Sequence, residues 1–386
     1  MRIAVAYDCL FPFSKGGGER QYRVFAEEFA AAGHQVTYLT RKQWDSAAPQ
    51  VDGLDIEVIS TERELYDAQG NRKLGPAVKF ATGLFAHLAR NRGRYDAVLV
   101  SATPATNVPA ARAALLGTRT VLAVDWLEVW RPEQWLEYSG PVAGRVANVI
   151  QWLAVKSSSL ASCHSQLNAR RLVELRLRSA PIVSPGLIDG QGGGEPSLTA
   201  GEPPTVVYVG RHIPDKRVEA LPAAIAHARK SIPDLKCTIF GEGQTSAAIQ
   251  AEIARLGLQE VIATPGFVDQ AVLDEGMRSA AVLVNPSQRE GYGLVVVESC
   301  ALGTPVVLVN GEDNASVELV EDGVNGKVAA SVRPEVLGEA IVEVVSAGAP
   351  LRKTTAEWFD EARRTKTVRA AAAQILGRIE QAVAKA

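Results

Sequence analysis

Residues 281–309, AVLVNPSQREGYGLVVVESCALGTPVVLV, constrain the fold of this chain more than any other stretch. AVLVNPS (281–287) is an apolar run of buried-strand length that stops at Asn285-Pro286-Ser287. A loop with two glycines follows, then a short helix starting at Gly293-Leu294-Val295, then a second apolar strand. Glu290 falls in the loop at the strand's carboxyl end, where open α/β sheets bind their ligands. Gly291 and Gly293, on either side of Tyr292, let the backbone come close to a ligand. The first amides of the helix lack partners within it and form a positive socket suited to phosphate oxygens. Glu298 is the only charge in LVVVESCAL. Such a carboxylate either faces water or accepts hydrogen bonds, for instance from ribose hydroxyls.

The amino-terminal part repeats the strand–loop–helix theme. RIAVAYD (2–8) reads as a buried strand, and CLFPFSKGGGER as its loop. Gly16, Gly17 and Gly18 precede a helical pattern, ERQYRVFAEEFAAAGH, with Val24, Phe25, Ala26 and Phe29 toward a core and Gly33 as C-cap. QVTYLT (35–40) is the next strand. The loop is no dinucleotide fingerprint, because G-x-G-x-x-G is absent, and no P-loop, because no Gly-Lys-Ser/Thr follows. By themselves the three glycines fit a flexible turn as well as a close backbone approach to a ligand.

Farther along, LDIEVIS (54–60), YDAVLVSATPA (95–105) and TRTVLAVDW (118–126) read as strands with their loops. Residues 72–94 form a helix with Val78, Ala81, Leu84, Phe85 and Leu88 on its apolar face and a run of cations from Arg72 and Lys73 to Arg94. It fits peripheral contact with an anionic membrane, or core packing with a solvated basic end. DWLEVWRPEQWLEYSGPVAGR (125–145) holds Trp126, Trp130 and Trp135 beside carboxylates, which fits a sugar-binding wall or simple packing. Residues 148–177 read as helix, polar break, helix, and 179–190 as a strand. The Gly/Pro-rich, aperiodic segment that follows is the expected linker, 186–204. It divides a domain over 1–185 from one over 205–367, with a final helix over 368–386. TVVYVGRHIPDKR (205–217) opens the second sheet, and Arg211 and Lys216 put two cations at its first strand's end. Strands at 235–243 and 261–269, helices at 245–258 and 334–348, and a structural turn over 310–329 complete the second half.

In this setting REGYGLVVVESCALGTPVV, with glutamates flanking seven residues, resembles the E-x₇-E signature of glycosyltransferase family 4, the retaining group 1 enzymes of bacteria. The resemblance covers almost the whole chain, densest at 2–40, 120–145 and 205–330. It implies the GT-B fold, two doubly wound parallel-sheet, Rossmann-like α/β domains facing each other across a cleft, with the final helix, 368–386, returning to pack on the first. It further implies that Glu290 meets the donor sugar's hydroxyls, with Gly291, Tyr292 and Gly293 around it. The amides of Leu294 and Val295 would meet the diphosphate, and Glu298 the ribose. Gly210-Arg211 and Lys216 resemble the G-R-x₄-K turn whose cations bind donor phosphates, and Phe267 and Val268 would lie near the base. Gly16, Gly17 and Gly18 resemble the family's glycine loop, and YDCLFPFSKGGGER and LTRKQW fit its bacterial members. Asp125, Trp126, Leu127 and Glu128 fall on the acceptor side. Many relatives carry a histidine in a W-H-E-V-W run there. This chain has Leu127 instead, with Asp125 and Glu128 as the nearest polar groups and none of its five histidines in the run.

The expected activity is hexosyl transfer from a UDP- or GDP-sugar to a hydroxyl of a glycan, lipid-linked or small-molecule acceptor, in cell-envelope or natural-product glycosylation. No metal and no cofactor are expected, since Arg211, Lys216 and helix amides can neutralise the diphosphate. Another GT-B activity, such as a phosphorylase or epimerase, or a catalytically weak sugar-nucleotide binder, are the alternatives. A net charge of −2 argues against a nucleic-acid partner. Four scattered cysteines without a C-x-x-C pair read as buried reduced thiols. With no apolar run near the roughly 20 residues of a membrane span, a cytoplasmic protein, perhaps at the inner face of a membrane, is expected.

Overall fold

Runs of consecutive apolar residues make fully buried parallel strands, because helices must cover both faces of such a sheet. The computed structural model describes residues 1–14, 16–45, 47, 49–61, 74–188 and 195–386. They form two units, Met1–Leu187 with Lys366–Ala386, and Ile188–Thr365.

In the first unit the strands are β1 (Arg2–Ala6), β2 (Gln35–Arg41), β3 (Leu54–Ser60), β4 (Ala97–Ser101), β5 (Val121–Trp126), β6 (Leu160–Cys163) and β7 (Ile182–Val183). They form one parallel sheet in the order β3-β2-β1-β4-β5-β6-β7. The helices are α1 (Gly17–Ala31), α2 (Leu74–Arg90), α3 (Asn107–Ala114), α4 (Pro132–Ser157) and α5 (Gln166–Glu174), joined by α11 (Val368–Val383). Alternate strand residues, such as Ala4, Ala6, Val98, Val100, Leu122 and Val124, share a core with Leu84 and Leu88 of α2, Val108 and Ala111 of α3, and Ala154 and Val155 of α4. Right-handed crossovers therefore place α1 on the opposite face, where α11 packs against it. Arg369 Nε donates to Glu28 Oε1 at 2.8 Å across that helix pair. In α4, Gly140 at φ 79° breaks the helix into two limbs just before Pro141.

The second unit holds β8 (Thr205–Val209), β9 (Lys236–Phe240), β10 (Ile262–Gly266), β11 (Val282–Asn285), β13 (Val306–Val309) and β15 (Gly326–Ala329) in the order β10-β9-β8-β11-β13-β15. A two-strand pairing of β12 (Arg289–Glu290) with β14 (Asp313–Asn314) stands apart. Its helices are α6 (Leu221–Ala228), α7 (Ser246–Arg255), α8 (Gln270–Ser279), α9 (Leu294–Ala301) and α10 (Pro334–Thr365). Val282 and Val284 enter one core with α6 and the first half of α10, while Leu283 enters the other with α9, Trp358 and Phe359.

Three details depart from the sequence reading. The polar break read between two helices contains β6, whose Ala161 and Cys163 are buried and whose Ser162 is satisfied by Asp125 of β5. On α1 the buried arc is Gln21, Tyr22, Phe25, Ala26 and Phe29, with Val24 off it. On α2, Ala77 and Phe80 are buried, whereas Val78 and Phe85 look outward. Of the expected linker, 189–194 lie outside the described residues, as do Arg72 and Lys73 of the basic helix. Residues 195–201 pack onto the second unit, where Ser197 N donates to Leu302 O at 2.9 Å and Arg352 Nε to Ser197 O at 2.9 Å. Among the described residues, no helix is long and apolar enough to cross a membrane.

Candidate active site

In the second sheet, the chain runs from β8 outward to β9 and β10, then returns to place β11 beside β8. Strand order reverses there, and the loops leaving β8 and β11 open the crevice where such sheets bind ligands. Those two loops are the G-R-x₄-K turn and the signature loop.

They are joined bond by bond. Gln288 N donates to Asp215 O at 2.8 Å, and Arg289 pairs with the Asp215 carboxylate. Arg217, in the left-handed region at φ 47°, donates from Nε to Pro286 O at 2.9 Å. Lys216 Nζ donates to Glu290 Oε1 at 2.5 Å. The same oxygen accepts from Asn285 Nδ2 at 3.1 Å and Ser287 Oγ at 3.0 Å. All three donors converge on Oε1, so Oε2 has no hydrogen bond to a described residue. Burial pushes the Glu290 carboxyl up, but the Lys216 charge and the three hydrogen bonds overcome it and hold the pKa below the usual range. Glu290 is thus a fixed carboxylate with one oxygen anchored and one available.

The loop's shape depends on its far side. Asn314 Nδ2 donates to Ser287 O and Val309 O, and Asn314 Oδ1 accepts from the Ser316 amide. Gly293 caps α9 at φ 100°, with Ser316 so near that a Cβ would stand 2.4 Å from Ser316 Cβ. Only glycine fits that position. It turns the chain so that the amides of Leu294 and Val295 open α9 with no hydrogen-bond partner among the described residues. Glu298 is half-buried on the same helix, and Gly291 and Tyr292 are half-buried in the loop before it.

Beside this, the Arg211 guanidinium is exposed and makes no ion pair with a described residue. Gly210 precedes it at φ 157°, close enough to Tyr208 that a Cβ would meet the hydroxyl at 2.7 Å. His212, which sequence reasoning passed over, is buried, with Nδ1 2.8 Å from Ser246 Oγ. Burial lowers its pKa, against the pull of the Phe240 backbone and Glu242, and favours the neutral ring. Phe267, directly after β10, is 71 % exposed, and Val268 is half-buried.

The first unit gathers the other predicted residues. The loop after β1 is held by Gln43 Oε1, which accepts from Leu10 N at 3.1 Å and Ser14 Oγ at 2.7 Å, and by Arg41 Nη2, which donates to Ser14 Oγ at 3.2 Å. LTRKQW therefore supports the glycine loop. Gly16 is the extended N-cap of α1, and Gly17 opens the helix. A Cβ on Gly18 would lie 2.7 Å from the Tyr7 hydroxyl and 3.3 Å from Leu127 Cδ1, so the glycine loop and the Leu127 run abut.

Asp125 and Trp126 are both fully buried. Trp126 belongs to the core and offers no wall to a sugar. Asp125 Oδ1 accepts from Ser162 Oγ at 2.5 Å, and Oδ2 from Tyr22 at 2.8 Å and Gln21 Nε2 at 3.1 Å. His164 Nε2 is 3.0 Å from that oxygen. The carboxylate is saturated inside the unit, so its function is to tie α1 to β5 and β6. His164, directly after the unread strand β6, thus meets the first residue of the Asp125–Glu128 run. Glu128 Oε2 accepts from Trp130 Nε1 at 2.6 Å, and the Trp130 ring packs at a tilt on Trp135 and edge-on to Tyr138.

Comparison with known proteins places the two units in two matching families. Residues 16–186 match the model of the glycosyl transferase 4-like domain, and residues 195–364 that of the glycosyl transferases group 1. The chain is 26 % identical over 316 residues to a glycogen synthase of Mycobacterium tuberculosis, covering 78 % of this chain and 75 % of that protein. It is 32 % identical over 135 residues to the poly(glycerol-phosphate) alpha-glucosyltransferase of Bacillus subtilis, spanning 35 % of this chain but only 20 % of that protein. Among solved structures it is similar to sucrose-phosphate synthase from Thermosynechococcus elongatus, with TM-score 0.81, 18 % identity and full coverage of both chains. It is also similar to Anabaena HepE in complex with UDP-glucose, with TM-score 0.69, 18 % identity and coverage of 99 % and 100 %.

Proposed function

Because the chain belongs to the group 1 glycosyltransferases of GT-B fold, we propose that it is a retaining hexosyltransferase acting on a UDP- or GDP-sugar without a metal ion. The acceptor is a hydroxyl of a glycan, a lipid-linked sugar or a small molecule. Support for the donor comes from the likeness to HepE, whose structure contains UDP-glucose.

The observation that carries this reading is the state of Glu290. A buried carboxylate with one oxygen anchored by Lys216, Asn285 and Ser287 presents the other at a fixed place and fixed charge. Such an oxygen holds sugar hydroxyls and favours positive charge developing on the ring, at no reorganisation cost. Arg211 and the amides of Leu294 and Val295 bind the diphosphate, which leaves with the electron pair of the bond from its oxygen to the anomeric carbon. The acceptor oxygen forms its bond on the same face, and its proton passes to the departing phosphate. No protein base is required, which fits Leu127 in the first unit. The reading is tested by screening UDP-, GDP- and dTDP-sugars for thermal stabilisation, followed by NMR of the product's anomeric configuration. An inverted product, or no stabilisation by any nucleotide sugar, would overturn it.

A further inference from the structure

Helices α2, α3, α4 and α5 pack on one face of the first unit's sheet, and three of them share an outer surface rich in cations. α2, α3 and the second limb of α4 (141–157) carry Lys79, Arg90, Arg112, Arg145 and Lys156 and not one Asp or Glu. The helices of the opposite face do carry acids, Glu19, Glu27 and Glu28 on α1 and Glu380 on α11. On the same side α5 adds Glu174 beside Arg170, and Glu57 of β3 pairs with His87 and Arg94. An excess of cations on this face, in a chain of net charge −2, is a local segregation of charge.

The same face exposes apolar side chains. On α4, Gly144, Gln151, Ala154 and Val155 turn inward. The outward positions 142, 145, 146, 149, 152, 153 and 156 read Val, Arg, Val, Val, Trp, Leu, Lys. Val142 is 73 % exposed and Trp152 47 %. Phe85 of α2, expected in the core, also faces out. Apolar side chains on the outward as well as the inward side of a helix mark a surface that something covers.

We propose that this face docks on an anionic lipid bilayer. Charge selects the occupant. A second copy applied about a twofold axis would set five cations against the same five, whereas an anionic surface neutralises them. Trp152, with Lys156 Nζ 5.8 Å from its ring centroid, pairs an apolar body with a polar rim, the arrangement that suits a headgroup boundary.

The test is sedimentation of the full chain with vesicles of phosphatidylcholine alone, or mixed with phosphatidylglycerol, at low and high salt. Binding is expected to the anionic vesicles only and to weaken with salt. Arg112→Glu and Arg145→Glu should each lower it about fivefold or more. Val149→Asp with Leu153→Asp should abolish it, and all four exposed substitutions should leave the melting temperature unchanged. No binding to anionic vesicles, or binding indifferent to both sets, overturns the proposal. So does a dimer in sedimentation equilibrium that Val149→Asp dissociates, since the face would then belong to a second copy.

Discussion

Lys216 and Glu290 are 74 residues apart in sequence, yet a 2.5 Å hydrogen bond joins their side chains across the loops that leave β8 and β11. The pair fixes the loops leaving β8 and β11, and it also sets the charge of Glu290. A carboxylate with a depressed folded pKa stabilises the fold above its ordinary value, near 4.5, and loses that contribution as pH falls through the folded value. Lys216→Met leaves burial opposed only by Asn285 and Ser287, so the Glu290 pKa rises. The variant should lose about 1–3 kcal/mol of stability at neutral pH, and less at about pH 3.5. Urea unfolding at both values checks this. A penalty independent of pH would show that the two groups are not electrically coupled.

Arg211 separates binding from stability. Its guanidinium is exposed and unpaired among the described residues, so Arg211→Ala should unfold like the wild type. Losing a charge-assisted contact to the leaving group should cost about 2–4 kcal/mol, or roughly 30- to 1,000-fold in rate. Nucleoside diphosphate affinity, read by calorimetry, should fall in the same variant; an unchanged value would remove Arg211 from the site.

Leu127 and Glu290 serve to test which unit carries the critical group. Leucine carries no proton, so Leu127→Ala should slow transfer by about tenfold or less, equivalent to roughly 1–1.5 kcal/mol of lost packing. Glu290→Gln should cost about 10²- to 10³-fold. The reverse order in steady-state kinetics would move the critical group to the first unit.

Asp125→Asn is expected to act on the fold. An amide group would face hydroxyl and amide donors where a carboxylate now accepts them. A loss of about 2–4 kcal/mol follows from one unsatisfied buried network. Full stability with abolished turnover would return Asp125 to the acceptor.

The thiols of Cys9, Cys237 and Cys300 are pushed up to about 12, chiefly by burial, and Cys163 is buried as well. Thiol reagents at about pH 8 should therefore label the native protein slowly and all four cysteines once it is denatured. Rapid labelling of any one of them in the folded state would contradict its burial.

What could be read from the sequence follows from the range of the interactions involved. Strands such as AVLV and VVLV announce themselves because both of their faces are buried. The Gly293 cap and the free amides after it are local, so residue types revealed them. β6 escaped because LASC is short and small, and its apolar character lies in tertiary burial. The outward Val78 and Phe85 escaped for the converse reason, since an apolar side chain does not state which side of a helix is inside. The anchoring of Glu290 by Lys216, the support of the loop by Asn314, and the meeting of His164 with Asp125 join distant segments. Composition and spacing carry no record of such contacts.

The first unit is discontinuous, being completed by residues 366–386. On the ribosome those residues are made only after the whole of the second unit. Until then the surface of α1 that α11 covers stays bare, and Glu28 lacks Arg369. The second unit can finish folding while the first, begun earlier, waits for its last helix. A stop codon near position 365 would thus damage the half of the protein synthesised first.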